Sequence, residues 1–462
     1  MLNNSLGLNL SKKAKNKYVA NFDLDELYNA GDVLDISTVE NTPRAVVIRG
    51  LKMWFVGSQN AIIYEYHLTV SGRVRDAIYS GNSLDCSSFE SNPSSLTLSR
   101  CGMYMLVGGF TSDSVHTIEL ATANTLDGAS RNASKTLDIS AKVAGCQGIS
   151  LSNGDLKLNI IDATTDSIYR YTVDVTDISS GTYEGVKDIS SIESAPQDIY
   201  FLNDEKAIII GTETDSINAL DVRGDISNWS KITGNDYNIS TVENTPRGLW
   251  ANNNGTRIAI CGSETGEIKT LNIEYSNYRI LQGYEVDGVD YQINTQSGTS
   301  AYCAIAIHGG GIERGSQETQ EAFQTLTGYQ GASFEGLKSS GNFVMHITSV
   351  KFDVPDVVEV VRNSDRCVSF HGVSGDELFT HVGGSYDSLR SATETELVSA
   401  GFTISEVPEY LDGKSRENIA NKCVLGESLQ LEISKGQRDL LRTSASVMTA
   451  FITAVKNAID GL

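Results

Sequence analysis

One stretch of the chain reads "AYCAIAIHGGGIERGSQE" (301–318). Small and apolar residues from Ala301 to Ile307 end in His308, three glycines follow, then Ile312 and the acid Glu313. Imidazole nitrogen and carboxylate oxygen are donors that a borderline divalent cation such as zinc takes. Five positions apart they cannot share a helix face, yet the flexible GGGI segment lets the chain turn back and bring Glu313 beside His308. "RCVSFHGVSG" (366–375) repeats the setting, a strand-like run entering a His-Gly corner at His371. In open α/β sheets ligands bind beyond the carboxyl ends of the strands. If the two strands are neighbours, His308, Glu313 and His371 present N, O and N to one ion and leave a fourth position for water. Unrelated loop residues would show the same spacing.

A hydrolytic metal site also needs a base. In "SLQLEIS" (428–434) the alternation turns Glu432 away from Leu431 and Ile433, into a cleft or, on an edge strand, toward solvent. From a cleft its carboxylate can take a proton from water and later give it to a leaving amine. The glycine corner has a rival reading, the oxyanion loop of an α/β-hydrolase, which demands a G-x-S-x-G nucleophile elbow and a histidine late in the chain. "GVSGD" (372–376) misplaces the second glycine and no histidine follows His381, so the rival fails.

The elements that must position these residues alternate. "AYCAIAI" (301–307), "NFVMHITS" (342–349), "RCVSF" (366–370) and "SLQLEIS" read as strands, and helical patterns cover about 316–328, 385–400 and 436–460. In the last of these Leu441, Ala445, Met448, Ile452, Val455 and Ile459 recur at helical spacing as a core stripe. Alternation of this kind predicts an α/β domain with a mixed sheet over 276–462.

The preceding 17–275 repeats itself. "DISTVENTPRAV" (35–46) returns as "NISTVENTPRGL" (238–249), with weaker copies starting at 85, 138 and 188. Each copy is followed by two strand-like runs separated by polar or Gly-containing turns. A unit of about fifty residues with four short strands is the size of a propeller blade. Residues 18–34 resemble the end of a repeat without its beginning, so an N-terminal strand is expected to complete the last blade. The prediction is an all-β propeller of about five blades, six being possible, behind an N-terminal tail at 1–16. His67 and His116 fall in its strands and are read as surface or core residues.

With 36 Lys and Arg against 58 Asp and Glu the net charge is −22, which argues against binding nucleic acid through its phosphates but not against a local basic pocket. Seven scattered cysteines without a C-x-x-C read as buried free thiols. No apolar run is long enough to span a membrane, and the first thirty residues lack the core of a signal peptide. A protein of this kind working outside a cell is expected to arrive by lysis or as part of a particle.

"IHGGGIERGSQE" (307–318), "SFEG" (333–336), "MHITSVKFD" (345–353), "SFHGVSGDE" (369–377), "VGGSYDSL" (382–389) and "ESLQLEISKGQRDLL" (427–441) together resemble the phage-type poly-γ-glutamate hydrolases and their bacterial relatives. The resemblance covers about 165 residues in the family's order. It implies a zinc-carboxypeptidase-like fold and hydrolysis of γ-glutamyl amide bonds. It also implies one zinc per chain held by His308, Glu313 and His371, with Glu432 as general acid/base. Arg438 is then a candidate clamp for a substrate carboxylate, and His346 a residue lining the cleft. Lys422 stands near where family members usually carry an arginine, so a carboxylate there would meet a point charge and not a fork. The repeats look like propellers of bacteriophage tail and virion-associated proteins. Two functions follow as expectations. One is a virion-associated depolymerase of a bacterial capsule or wall polymer, in an oligomer or beside other tail proteins. The other is a tail adhesin that retains a hydrolase fold.

Overall fold

The computed structural model describes residue 24 and residues 27–252 and 255–462. The tail expected at 1–16 and the start of the 18–34 segment lie outside the described residues. The chain divides between Ile273 and Glu274 into two compact units.

Among its described residues the first unit contains five four-stranded antiparallel sheets. In four of them the strands follow one another in sequence. The fifth comprises Pro246–Ala251, Arg257–Gly262 and Glu267–Ile273, and its outer strand is Leu27–Asp35, paired from Leu27↔Ile273 to Asp35↔Glu267. The first described strand thus completes the last blade, and the count is five. His116 is buried, with Nε2 2.8 Å from Ser112 Oγ, and His67 is exposed.

The repeat motif is a set of turn devices. Asp35, Asp85, Asp138, Asp188 and Asn238 each accept a hydrogen bond from the backbone N–H two residues on, at 2.8–3.0 Å, and so turn the chain out of a blade's outer strand. Five residues after the first, second, fourth and fifth of these stand Glu40, Glu90, Glu193 and Glu243, all buried. The Glu40 carboxylate accepts from the N–H groups of Thr42, Gln59 and Asn60 at 2.9–3.3 Å. A Cβ on Gly57 would stand 2.1 Å from it, and Gly109, Gly211 and Gly262 face Glu90, Glu193 and Glu243 in the same way. The third blade reverses the pair: Val143 replaces the glutamate and Asp162 the glycine, and Asp162 accepts from Ala144 and Thr164 N–H at 2.9 and 2.8 Å. The carboxylate has moved to the facing strand and does the same work. Glu40→Val should therefore lower the melting temperature by several degrees, since each buried N–H left unpaired costs about 1–3 kcal/mol. Adding Gly57→Asp should recover much of the loss in calorimetry. A double variant no more stable than the single one would refute this account.

In the second unit a mixed six-stranded sheet runs in the order Tyr291–Gln296, Tyr329–Gly336, Thr299–Gly310, Arg366–Val373, Glu427–Ser434, Thr380–Gly383. The four inner strands are parallel and both edges antiparallel. Helices Ser316–Thr327, Asp387–Ser399 and Ala445–Asp460 cover one side, sealing a core that includes Phe323, Phe370, Leu389, Phe451 and Val455. Two expected elements differ. The final helix is two, Lys435–Thr443 and Ala445–Asp460, because Ser444 is extended (φ −131°, ψ 102°). Side-chain hydroxyls such as those of Thr443 and Ser444 compete for helical backbone groups, and the break leaves Ala445 exposed while Ile452, Val455 and Ile459 stay buried. "NFVMHITS" is not a strand: Gly341 at φ +70° leads into the turn Asn342–Met345, and Asn342 ties both the N–H and the carbonyl of Lys338.

Candidate metal centre and active site

Three neighbouring parallel strands, Thr299–Gly310, Arg366–Val373 and Glu427–Ser434, carry His308, His371 and Glu432 at their carboxyl ends, with His371 directly opposite Glu432. All three side chains are buried. Beyond His308 the chain doubles back, so that Glu313 N–H bonds the His308 carbonyl at 2.9 Å. Gly310 turns at φ +61°, and a Cβ there would lie 2.4 Å from the Gly336 carbonyl; at Gly311 it would meet Asn342 Nδ2 at 2.4 Å. The corner needs glycine because the neighbouring "SFEG" strand and Asn342 occupy the space a side chain would take.

His308 Nδ1 stands 3.2 Å from Glu313 Oε1, and His371 Nδ1 3.9 Å from Oε2. One ligand atom from each of His308, Glu313 and His371 falls within 4.8 Å of the others. His308 Nε2 lies 2.9 Å from the Ile347 carbonyl, which only accepts, so Nε2 carries a proton and Nδ1 faces the Glu313 carboxylate. Nδ1 and the carboxylate oxygen stand 3.2 Å apart, two atoms that a cation between them would take as ligands. Glu313 is oriented for this by Gly372 N–H at 2.7 Å. His371 Nε2 meets Ser369 Oγ at 2.7 Å, and burial holds its pKa down at about 3, which keeps the imidazole in the neutral form that ligates metal. Burial alone would raise Glu313, but His308 first, and then the hydrogen bond from His346, overcome it and hold the carboxyl well below the ordinary range. Two imidazoles and a carboxylate fit zinc.

Glu432 is pushed up to about 8, by burial first and then by the charge of Glu313. Its Oε1 accepts from Gln430 Nε2 at 2.9 Å, and Gln430 Oε1 accepts from Asn418 Nδ2 at 2.8 Å. Gln430 lay in the same alternation as Glu432, two residues earlier on the same face, and the sequence reading passed over it. His381, which that reading left without a role, pairs with Glu432 from the edge strand, its Nδ1 donating to the Ser405 carbonyl at 3.1 Å.

His346 stands beside His308 and Glu313. Its ring lies 3.7 Å from that of His308, stacks on Phe343, and sets Nε2 3.4 Å from Glu313 Oε1. Burial opposes its charge, but Glu274 and Glu313 carry its pKa up to about 9. Arg438 is not placed as a clamp. Its guanidinium is buried and donates to the carbonyls of Ile433, Arg314 and Val373 at 3.0, 2.5 and 3.3 Å, so it braces the backbone on which Glu313 and Glu432 sit. The sequence could not distinguish this, because an arginine in the first turn of a helix looks alike in both roles.

A family model described as poly-gamma-glutamate hydrolase matches residues 275–454. The protein YndL of Bacillus subtilis (strain 168) is 38% identical over 182 residues, 39% of this chain and 71% of its own length. A second relative from the same strain, the SPbeta prophage-derived protein YoqZ, is 38% identical over 36% of this chain and 60% of its own length. Among solved structures, that of a bacteriophage poly-gamma-glutamate hydrolase is similar at 31% identity and a TM-score of 0.39, covering 40% of this chain and 96% of that one. The family model and the extent of the likeness to YndL show that the chain belongs through its C-terminal unit to the poly-gamma-glutamate hydrolase family.

Proposed function

We propose that the chain is a zinc-dependent amidohydrolase that cuts γ-glutamyl amide bonds in a bacterial capsule or cell-wall polymer. The convergence of His308 Nδ1, Glu313 and His371 beside a buried Glu432 supports this reading. Zinc, if held by His308, Glu313 and His371, would supply Lewis-acid polarisation of the scissile carbonyl and lower the pKa of water. The remaining work falls to the chain itself. Glu432 takes a proton at a carboxylate oxygen and returns it to the leaving amine nitrogen, with Gln430 and Asn418 fixing its orientation. The charged His346 faces Glu313 and helps keep it ionised, and Arg438 fixes the backbone beneath both carboxylates.

A place on a phage particle, or release by lysis, accords with the prophage origin of one relative. The test is direct. The purified chain should contain one zinc and release amine groups from poly-γ-glutamate; a chelator should abolish that release and added zinc restore it. Polymer binding without release of amine would leave the adhesin reading in its place.

A further inference from the structure

The innermost strands Pro43–Arg49, Pro93–Leu98, Cys146–Ser152, Pro196–Phe201 and Pro246–Ala251 carry, one residue past their starts, Arg44, Ser94, Gln147, Gln197 and Arg247. These side chains connect neighbouring blades around the propeller axis. Ser94 Oγ donates to the Cys146 carbonyl at 2.5 Å, Gln147 Nε2 donates to Gln197 Oε1, and Arg247 Nη1 donates to the same oxygen at 2.5 Å. The last blade adjoins the first so closely that a Cβ on Gly248 would stand 2.6 Å from Ala45 Cα and 2.8 Å from the Arg44 carbonyl. The two arginines therefore meet at the seam of the ring.

Both are held alike. Arg44 Nε donates to Ser58 Oγ at 3.1 Å and Arg247 Nε to Ser263 Oγ at 3.2 Å. The other blades have Phe110, Ala163 and Thr212 at the serine position, so the serine accompanies the arginine. The hydrogen-bonding partners, Ser58, Ser263 and Gln197, are all neutral, and among the described residues neither guanidinium forms an ion pair. On these partners Arg44 spends one of its five N–H donors and Arg247 two. Both residues are half-buried, burial lowers both pKa values, the charge of Arg44 lowers that of Arg247 further, and the charges of Glu40 and Glu243 act the other way on Arg44 and Arg247. The cavity of about 610 Å³ along the axis starts at Val46 and Leu249, beyond these arginines, and is a separate feature.

We propose that Arg44 and Arg247 form an anion subsite at the propeller axis that takes carboxylate groups of a polyanion, the γ-glutamyl polymer of the proposed reaction. The choice of polymer rests on that reading; the anion site does not. Two like charges held together make a locally basic pocket, which a polyanion needs on a chain whose net charge of −22 otherwise repels it. Guanidinium forks match carboxylates bidentately, and the serine bonds fix their orientation before a ligand arrives.

The test uses the full chain carrying Glu432→Gln, so that the polymer stays whole, titrated calorimetrically with γ-linked hexaglutamate. Two binding events per chain are expected, and adding Arg44→Gln with Arg247→Gln should weaken one of them at least about tenfold, the loss of a charge-assisted bond. Glutamine is what the ring already carries at 147 and 197, so the double variant should melt no lower than its parent. An unchanged second event, or a lower melting temperature that marks the arginines as braces, overturns the site. Equal binding of α-linked hexaglutamate keeps the anion site and overturns its assignment to the γ-linked polymer. Binding of inorganic phosphate alone overturns the carboxylate assignment. Absence of turnover in the parent chain, with the arginine-dependent event intact, would sink the hydrolase reading and leave this subsite standing.

Discussion

Glu432→Gln is expected to retain one zinc and bind polymer as before, while turnover on poly-γ-glutamate falls by about 10²–10⁴-fold, the range for loss of a general acid/base. The amide keeps the size of the carboxylate and still offers an oxygen to Gln430 Nε2, so the surroundings have no reason to rearrange. What it cannot do is carry a proton. A second readout follows from the pKa of about 8. An unfolded glutamate releases its proton near 4.5 while the folded one holds it to about 8. Between these values the folded state binds more protons, so the group's contribution to stability falls as pH rises through that window. The metal-free variant lacks this penalty. Its melting temperature should gain on that of the metal-free parent from pH 5 to pH 9, and a gap that closes with rising pH would contradict the burial argument. Loss of zinc from Glu432→Gln, with zinc kept by Glu313→Gln, would mean that the two carboxylates have exchanged roles.

The propeller was legible because its signal is repetition. Asp35, Glu40 and Gly57 recur at near-constant spacing, since each is fixed by a contact to a neighbour within the same repeat. The site was legible for a related reason: His308 and His371 end strands, and strand ends of a parallel sheet share one edge. What escaped depends on tertiary partners. Nothing local shows that the side chain of Arg438 would be used up by three carbonyls, two of them 65 or more residues distant. "NFVMHITS" has the composition of a strand, but Asn342 and Gly341 commit it to a turn, and it is that turn which carries His346 to His308 and places the Ile347 carbonyl under the imidazole. The third-blade exchange of Glu for Val and Gly for Asp looked like decay of the repeat. In three dimensions it is compensation.

His308→Ala and His371→Ala should each strip the zinc. Structural and catalytic zinc sites use three or four protein ligands, and removal of one leaves His and Glu alone to hold the ion against dilution. The loss in affinity should exceed the 10–100-fold that follows removal of an outer partner. His346→Ala is the control, since its ring touches Glu313 at 3.4 Å without belonging to the ligand set, and it should keep the metal with at most that smaller loss. Metal analysis after dialysis distinguishes the cases. His308→Ala also leaves Glu313 and the Ile347 carbonyl without their His308 partners in the metal-free chain. His371→Ala instead deletes a neutral, fully packed ring and should lower the melting temperature of the metal-free chain. Full zinc content in both histidine variants would remove these residues from the site. Zinc lost from His346→Ala but kept in His371→Ala would move the centre to His308, Glu313 and His346.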